Sequence, residues 1–125
     1  MNREIKFRGL CTTSKLWVYG YFSKDYIGLA YITSLDGTET SVVDVDTIGQ
    51  FTGMKDQHDV EIYEGDIVET VQNSLHNRLI EPVISFEEGC FVVIDSKYSY
   101  EYLHYYETDT QIEVISNIHQ LLTDG

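Results

Sequence analysis

Along most of this chain apolar residues return at every second position. The residues that fill those positions are Ile, Val, Tyr and Phe, which suit a pleated, half-buried surface. The pattern predicts a mostly β (all-β) protein. EIKFR (4–8) alternates Ile5 and Phe7 with charges, and LWVYGYF (16–22) is apolar on both faces, as a strand held between two layers would be. YIGLAYIT (26–33) is its expected hairpin partner, and SLDGTET (34–40) turns the chain because Asp36-Gly37 readily supplies positive φ. SVVDVDTI (41–48) sets Val43 and Val45 on a dry face and acids on a wet one.

FTGMKDQHDVEIYEGDIVET (51–70) divides into a strand, a turn at MKDQHD, a short extended VEIY, a turn at EGD and a strand DIVET. Val60, Ile62, Tyr63, Ile67 and Val68 form its natural core set. Gly53 and Gly65 provide turn conformations that other residues resist, and Asp56 and Asp59 fall where backbone donors in a turn need acceptors. QNSLHNR (72–78) reads as a polar loop. LIEPVISFEEGCFVVID (79–95) reads as two strands hinged at Glu87-Glu88-Gly89. Pro82, the single proline, requires its strand to lie at an edge, start late or carry a bulge. The tail IEVISNIHQLL (112–122) begins as a strand and ends in a short C-terminal helix or turn, with Ser116 or Asn117 as a cap. No linker or repeat divides the chain, so one domain over 1–125 is expected, within which 1–46 can stand as a hairpin subdomain.

Charge narrows the choice of partners. The 125 residues carry 21 Asp and Glu against 8 Lys and Arg, a net charge of −13. Such a surface repels phosphate backbones and anionic lipid, so neither nucleic acid nor membrane is expected as a partner. The exception would be a local basic patch of Arg3, Lys6, Arg8, Lys15 and Lys24 with Trp17 and Tyr19 for stacking. MNREIKFRGL has no apolar leader core, and no window approaches about 18 continuous apolar residues, which leads us to expect a cytoplasmic protein. Cys11 and Cys90 have no CxxC partner and read as reduced thiols. Five of the ten tyrosines, Tyr98, Tyr100, Tyr102, Tyr105 and Tyr106, crowd one segment. That segment is either a strand covering a barrel wall or, if exposed, an interaction surface that an oligomer would cover.

The densest chemical signal is the crowd of Asp56, His58, Asp59, Glu61, Glu64, Asp66 and Glu69. It does not make a calcium loop. Counted from Asp56, position five is Val60, position six is Glu61 and position twelve is Ile67, where oxygen ligands, Gly and Glu are required. A transition-metal or carboxylate-dependent hydrolase could draw on Asp56, His58, Asp59 and Glu61, but the remaining histidines, His76, His104 and His119, have no paired spacing. No GxSxG elbow and no GK[ST] or GxGxxG phosphate loop is present. We therefore expect no catalytic residue, no metal and no cofactor, with the turns as the better account of the acids.

TIGQFTGMKDQHDVEIYEGDIVET resembles the signature of the YopX family of small phage and prophage proteins, a run close to G-Q-[FY]-T-G-[LM]-x-D followed by [ED]-I-[YF]-E-G-D-[IL]-V. The match is carried by Gly49, Gln50, Phe51, Thr52, Gly53, Met54 and Asp56, then by Glu61 through Val68. REIKFRG (3–9) is similar to the family's opening through Phe7 and Arg8. EVISNIHQ is similar to its close through Glu113, Val114, Ile115, Asn117 and Ile118, departing at Ser116 where glycine is usual. The resemblance implies a mostly β protein with an SH3-like barrel element, additional hairpins and self-association as a homo-oligomer. It also implies a phage-borne accessory role in the bacterial cytoplasm, and it brings no activity with it. Gly49, Gly53, Asp56, Gly65 and Asp66 are the structural residues of the motif. The function expected is non-enzymatic binding of a host or phage protein, with an acidic DNA mimic and a hydrolase using the 56–66 segment as alternatives.

Overall fold

The computed structural model describes residues 4–70, 83–87, 90–96, 99–103 and 112–119, whose regular structure is β-strand apart from short 3₁₀ turns. The chain divides into two compact units, with the boundary between Phe51 and Thr52.

In the first unit, β1 (Phe7–Leu10), β2 (Trp17–Lys24), β3 (Ala30–Thr33) and β4 (Thr40–Val43) form an antiparallel array in the order β4-β3-β2-β1. Beyond β1 lies the start of β5 (Gly49–Lys55), through Phe7↔Gln50 and Arg8↔Gly49. Phe7, Val18, Phe22 and Ile48 pack on a buried cluster of Ala30, Ile32 and Val43. Strand β2 serves two partners in succession. Residues 17–20 pair with β1 and residues 21–24 pair with β3. The changeover falls at Gly20, where a Cβ would lie 1.9 Å from the Thr33 carbonyl oxygen, so only glycine allows the two backbones to meet this closely.

Several expectations are corrected here. Ile5 is 58% exposed and precedes β1, whereas Lys6 and Arg8 are buried, so the two cations of EIKFR take the inner positions. LWVYGYF is not covered on both faces, since Leu16, Tyr19 and Tyr21 are exposed. SVVDVDTI leaves the strand after Val43. Asp44 caps a 3₁₀ turn at Val45–Thr47, its Oδ1 accepting from the Asp46 amide at 3.0 Å, and this local acceptor ends the alternation and leaves Val45 exposed.

In the second unit the remainder of β5 lies beside β6 (Glu61–Tyr63). A five-stranded antiparallel sheet runs β10-β9-β8-β7-β11, with β7 at Asp66–Thr70, β8 at Val83–Glu87, β9 at Cys90–Ser96, β10 at Ser99–Tyr102 and β11 at Ile112–Asn117. Its core is Ile62, Val68, Ile84, Phe91, Val93, Leu103 and Ile112, with Met54 and Val114 packed against it. β8 is described from Val83, and the expectation for Pro82 lies outside the described residues. Of the core set expected from residues 60–68, Val60 is exposed while Ile62, Tyr63 and Val68 are buried. The tail stays extended through Ser116 and Asn117, and residues 120–122 of the expected helix or turn lie outside the described residues. A turn follows, in which Asn117 Oδ1 accepts from the His119 amide at 2.8 Å. Among the described residues no helix is long and apolar enough to cross a membrane.

Replacing Gly20 by alanine is expected to cost about 2–3 kcal/mol, because the colliding atom is backbone and cannot swing aside. Gly37→Ala, where φ is +78° but nothing lies within 4 Å, should cost about 1 kcal/mol. Denaturant unfolding of the two variants measures the difference.

Candidate functional site

The acidic crowd of residues 56–66 resolves into scaffold. Asp56 is 2% exposed, and its carboxylate accepts three backbone N–H groups: His58 and Val60 on Oδ1 at 2.8 and 2.9 Å, and Val114 on Oδ2 at 2.8 Å. The Asp56 amide donates to the Val60 carbonyl at 2.8 Å, and the Gln57 amide donates to the Ile112 carbonyl at 2.9 Å. One carboxylate therefore closes its own turn and fastens that turn to β11. Asp66 is also buried and its Oδ2 accepts from the Tyr63 amide at 2.7 Å, closing the tight turn that Gly65 makes at φ +95°. The Gly65 amide donates to the Ile84 carbonyl at 2.8 Å, and the Ile118 amide donates to the Gly65 carbonyl at 2.9 Å. Gly53 sits in β5 at φ +88°, and Gly49 is buried opposite Arg8.

The other members stand apart from these two. Asp59 is exposed, pairing with Lys55 at 3.6 Å, and His58 lies 3.7 Å from Glu113 on the surface. Among the described residues no three His, Cys, Asp or Glu side chains converge as metal ligands would. Glu61 and Glu64 are half-buried rather than open to solvent.

The basic patch named as the exception is divided, with Lys6 and Arg8 buried, Lys15 and Lys24 exposed, and Arg3 outside the described residues. Lys6 is buried with its ammonium 4.9 Å from the Phe51 ring and 3.2 Å from Glu4. Arg8 is buried with its guanidinium 5.0 Å from the Trp17 ring. Both cations lie on aromatic faces inside the first unit, where phosphate contact would require unstacking them. Cys11 and Cys90 are free thiols, Cys11 buried and Cys90 half-buried. The Ser14 hydroxyl foremost, then the Thr13 hydroxyl 3.4 Å from the sulfur and the backbone of both residues, stabilise the Cys11 thiolate. They lower its pKa to about 6 against the opposing effect of burial.

One cleft remains that sequence reasoning did not find. Past Gly20, β2 keeps to β1 while the β3–β4 hairpin runs on to its turn, so the two lie unpaired there. The space between them, about 260 Å³, is lined by Trp17, Val18, Tyr19, Ile32, Ser34, Glu39 and Ser41. Tyr19 is about half exposed within that lining, and Tyr21, two positions on, and Leu16, just before β2, are exposed as well. The signal was present in LWVYGY as aromatic residues at alternate positions, but alternation does not reveal which strand lacks a cover. Of the tyrosine-rich segment, Tyr100 and Tyr102 fall on β10, where the backbone alone is described. Tyr98, Tyr105 and Tyr106 lie outside the described residues.

A family model described as YopX protein matches residues 6–121, a span that includes both units' strands and every residue of the 49–68 motif. No curated protein matches the chain.

Asp56→Ala should destabilise the protein by about 3–5 kcal/mol, because three amides lose their acceptor in a buried setting. Asp59→Asn, exposed and at a positive φ that asparagine tolerates, should stay within about 0.5 kcal/mol by the same denaturant titration. Thiolate absorbance should rise with a midpoint near 6 for Cys11, and Ser14→Ala with Thr13→Ala should move that midpoint toward 9.0. Because the folded pKa is depressed, the stability linked to this thiolate is fully present above the unfolded value and is lost as pH falls through about 6.

Proposed function

This chain belongs to the YopX family, and from that premise we propose that it is a non-enzymatic phage or prophage accessory protein of the bacterial cytoplasm. It acts by binding a host or phage protein and by self-association. The observation that carries this reading is the uncovered aromatic surface of β2, where Tyr19, which lines the cleft, and Tyr21 stand exposed, with Leu16 exposed just before the strand. Aromatic side chains supply large contact area at small entropic cost, which suits an interface. The changeover of β2 from one partner to another at Gly20 supports an SH3-like barrel element in the first unit. A hydrolase built on the 56–66 segment finds less support, since Asp56 and Asp66 spend their oxygens on backbone amides.

A second reading, the acidic DNA mimic, is favoured by where the charge lies. Residues 1–51 hold five Lys and Arg against six Asp and Glu, whereas residues 52–120 hold three against fourteen. The second unit thus carries the acidity, and a partner that reads it as nucleic acid would bind through salt-sensitive contacts.

Light scattering on the purified chain should give a mass above the 14.4 kDa of one copy, and affinity capture from host lysate should retain a partner that the Tyr19→Ser, Tyr21→Ser variant does not. A monomer that retains nothing above control would end the interaction reading. Retention that collapses with salt and with competing duplex DNA, yet is indifferent to the tyrosines, would move the assignment to the mimic.

A further inference from the structure

We infer that the cleft between β2 and the β3–β4 hairpin is a receptor for a single arginine side chain presented by a protein partner. This rests on the reading of the protein as an interaction module, and it names the chemistry that the module recognises. Size is the first constraint. At about 260 Å³ the cleft falls below the roughly 300–1,000 Å³ of small-molecule and cofactor sites, which leaves room for one side chain.

Its lining chooses which. Trp17 and Tyr19 offer aromatic faces, Val18 and buried Ile32 give an apolar base for a methylene stem, and Glu39 and Ser41 bring a carboxylate and a hydroxyl. Among the described residues the Glu39 carboxylate and the Ser41 hydroxyl have no hydrogen-bond or ion-pair partner within the chain, so both stay available to a ligand. A planar cation satisfies the whole set, stacking on the rings while its N–H groups reach the oxygens. The molecule already uses Trp17 in this way. Arg8, which is not a lining residue, holds its guanidinium 5.0 Å from that ring. Glu39 gives the lining its charge, which a cationic side chain complements. Lysine fits less well, because a compact, strongly hydrated ammonium gains less from flat rings.

The test uses the full chain and the peptide acetyl-Gly-Arg-Gly-amide, with the uncharged citrulline peptide as its near-isostere. Trp17 is the only tryptophan of the chain, so its fluorescence reports on the cleft directly, and amide chemical shifts of residues 17–19 and 39–41 report independently. Saturable changes in both signals are expected with the arginine peptide. The citrulline peptide should bind at least about tenfold more weakly, and Glu39→Gln, at an exposed position, should weaken the arginine peptide by about tenfold. Ser41→Ala should cost about threefold, and raised salt should weaken binding. Equal binding of the two peptides, wild-type affinity in Glu39→Gln, or no saturable shift at these residues would overturn the proposal. Capture of the same partner by Glu39→Gln as by the unaltered chain would also overturn it, while leaving the broader interaction reading standing.

Discussion

The carboxylate of Asp56 is the constraint on which the second unit depends. A turn between β5 and β6 that contains Asp59 at φ +65° cannot satisfy its own amides by regular pairing, and Asp56 takes up two of them. Its second oxygen accepts from Val114, next to the register shift in β11. The residue thereby joins segments 58 positions apart in sequence. Gly65 repeats the arrangement from the other side, donating to Ile84 and accepting from Ile118. The central and closing motifs that resemble the YopX signature are thus hydrogen-bonded to each other. Buried amides without acceptors are costly, which gives a physical reason for finding these residue types together.

A different economy governs the first unit. Its charges nearly cancel, and two of its cations, Lys6 and Arg8, are buried on aromatic rings. That arrangement turns two members of the basic patch inward, while Lys15 and Lys24 stay exposed. It also leaves β2 as a strand whose aromatic residues divide their work, with Trp17 stacking inside the unit and Tyr19 and Tyr21 standing outside. The backbone crossing at Gly20 is what lets one strand do both, since β2 could not leave one partner for another there if a side chain intervened.

Much of the fold was legible because period-two patterning and turn chemistry act locally. The strand–turn–strand reading of residues 51–70 corresponds to β5, β6 and β7 with their intervening turns. The errors concern which face is buried. Ile5 and Val60 are apolar residues that the pattern placed inside and the structure leaves outside, while Lys6 and Arg8 are cations that went in. Alternation tells two faces apart, but an aromatic ring beside a long methylene stem can make the charged face the buried one. Val45 failed for a neighbouring reason, because the Asp44 side chain captured a backbone amide and ended the strand.

By itself, the sequence determined an all-β chain of the YopX family, its strong net acidity, and turns at Asp36-Gly37, Asp56 and Gly65-Asp66. Each of these is a property of neighbouring residues or of composition. Tertiary structure alone decided that Asp56 and Asp66 are buried acceptors rather than surface acids, that Arg8 and Trp17 meet, and that a cleft opens where β2 leaves β3. These depend on which distant backbone supplies a donor or withholds a partner, and no periodicity within a strand encodes that.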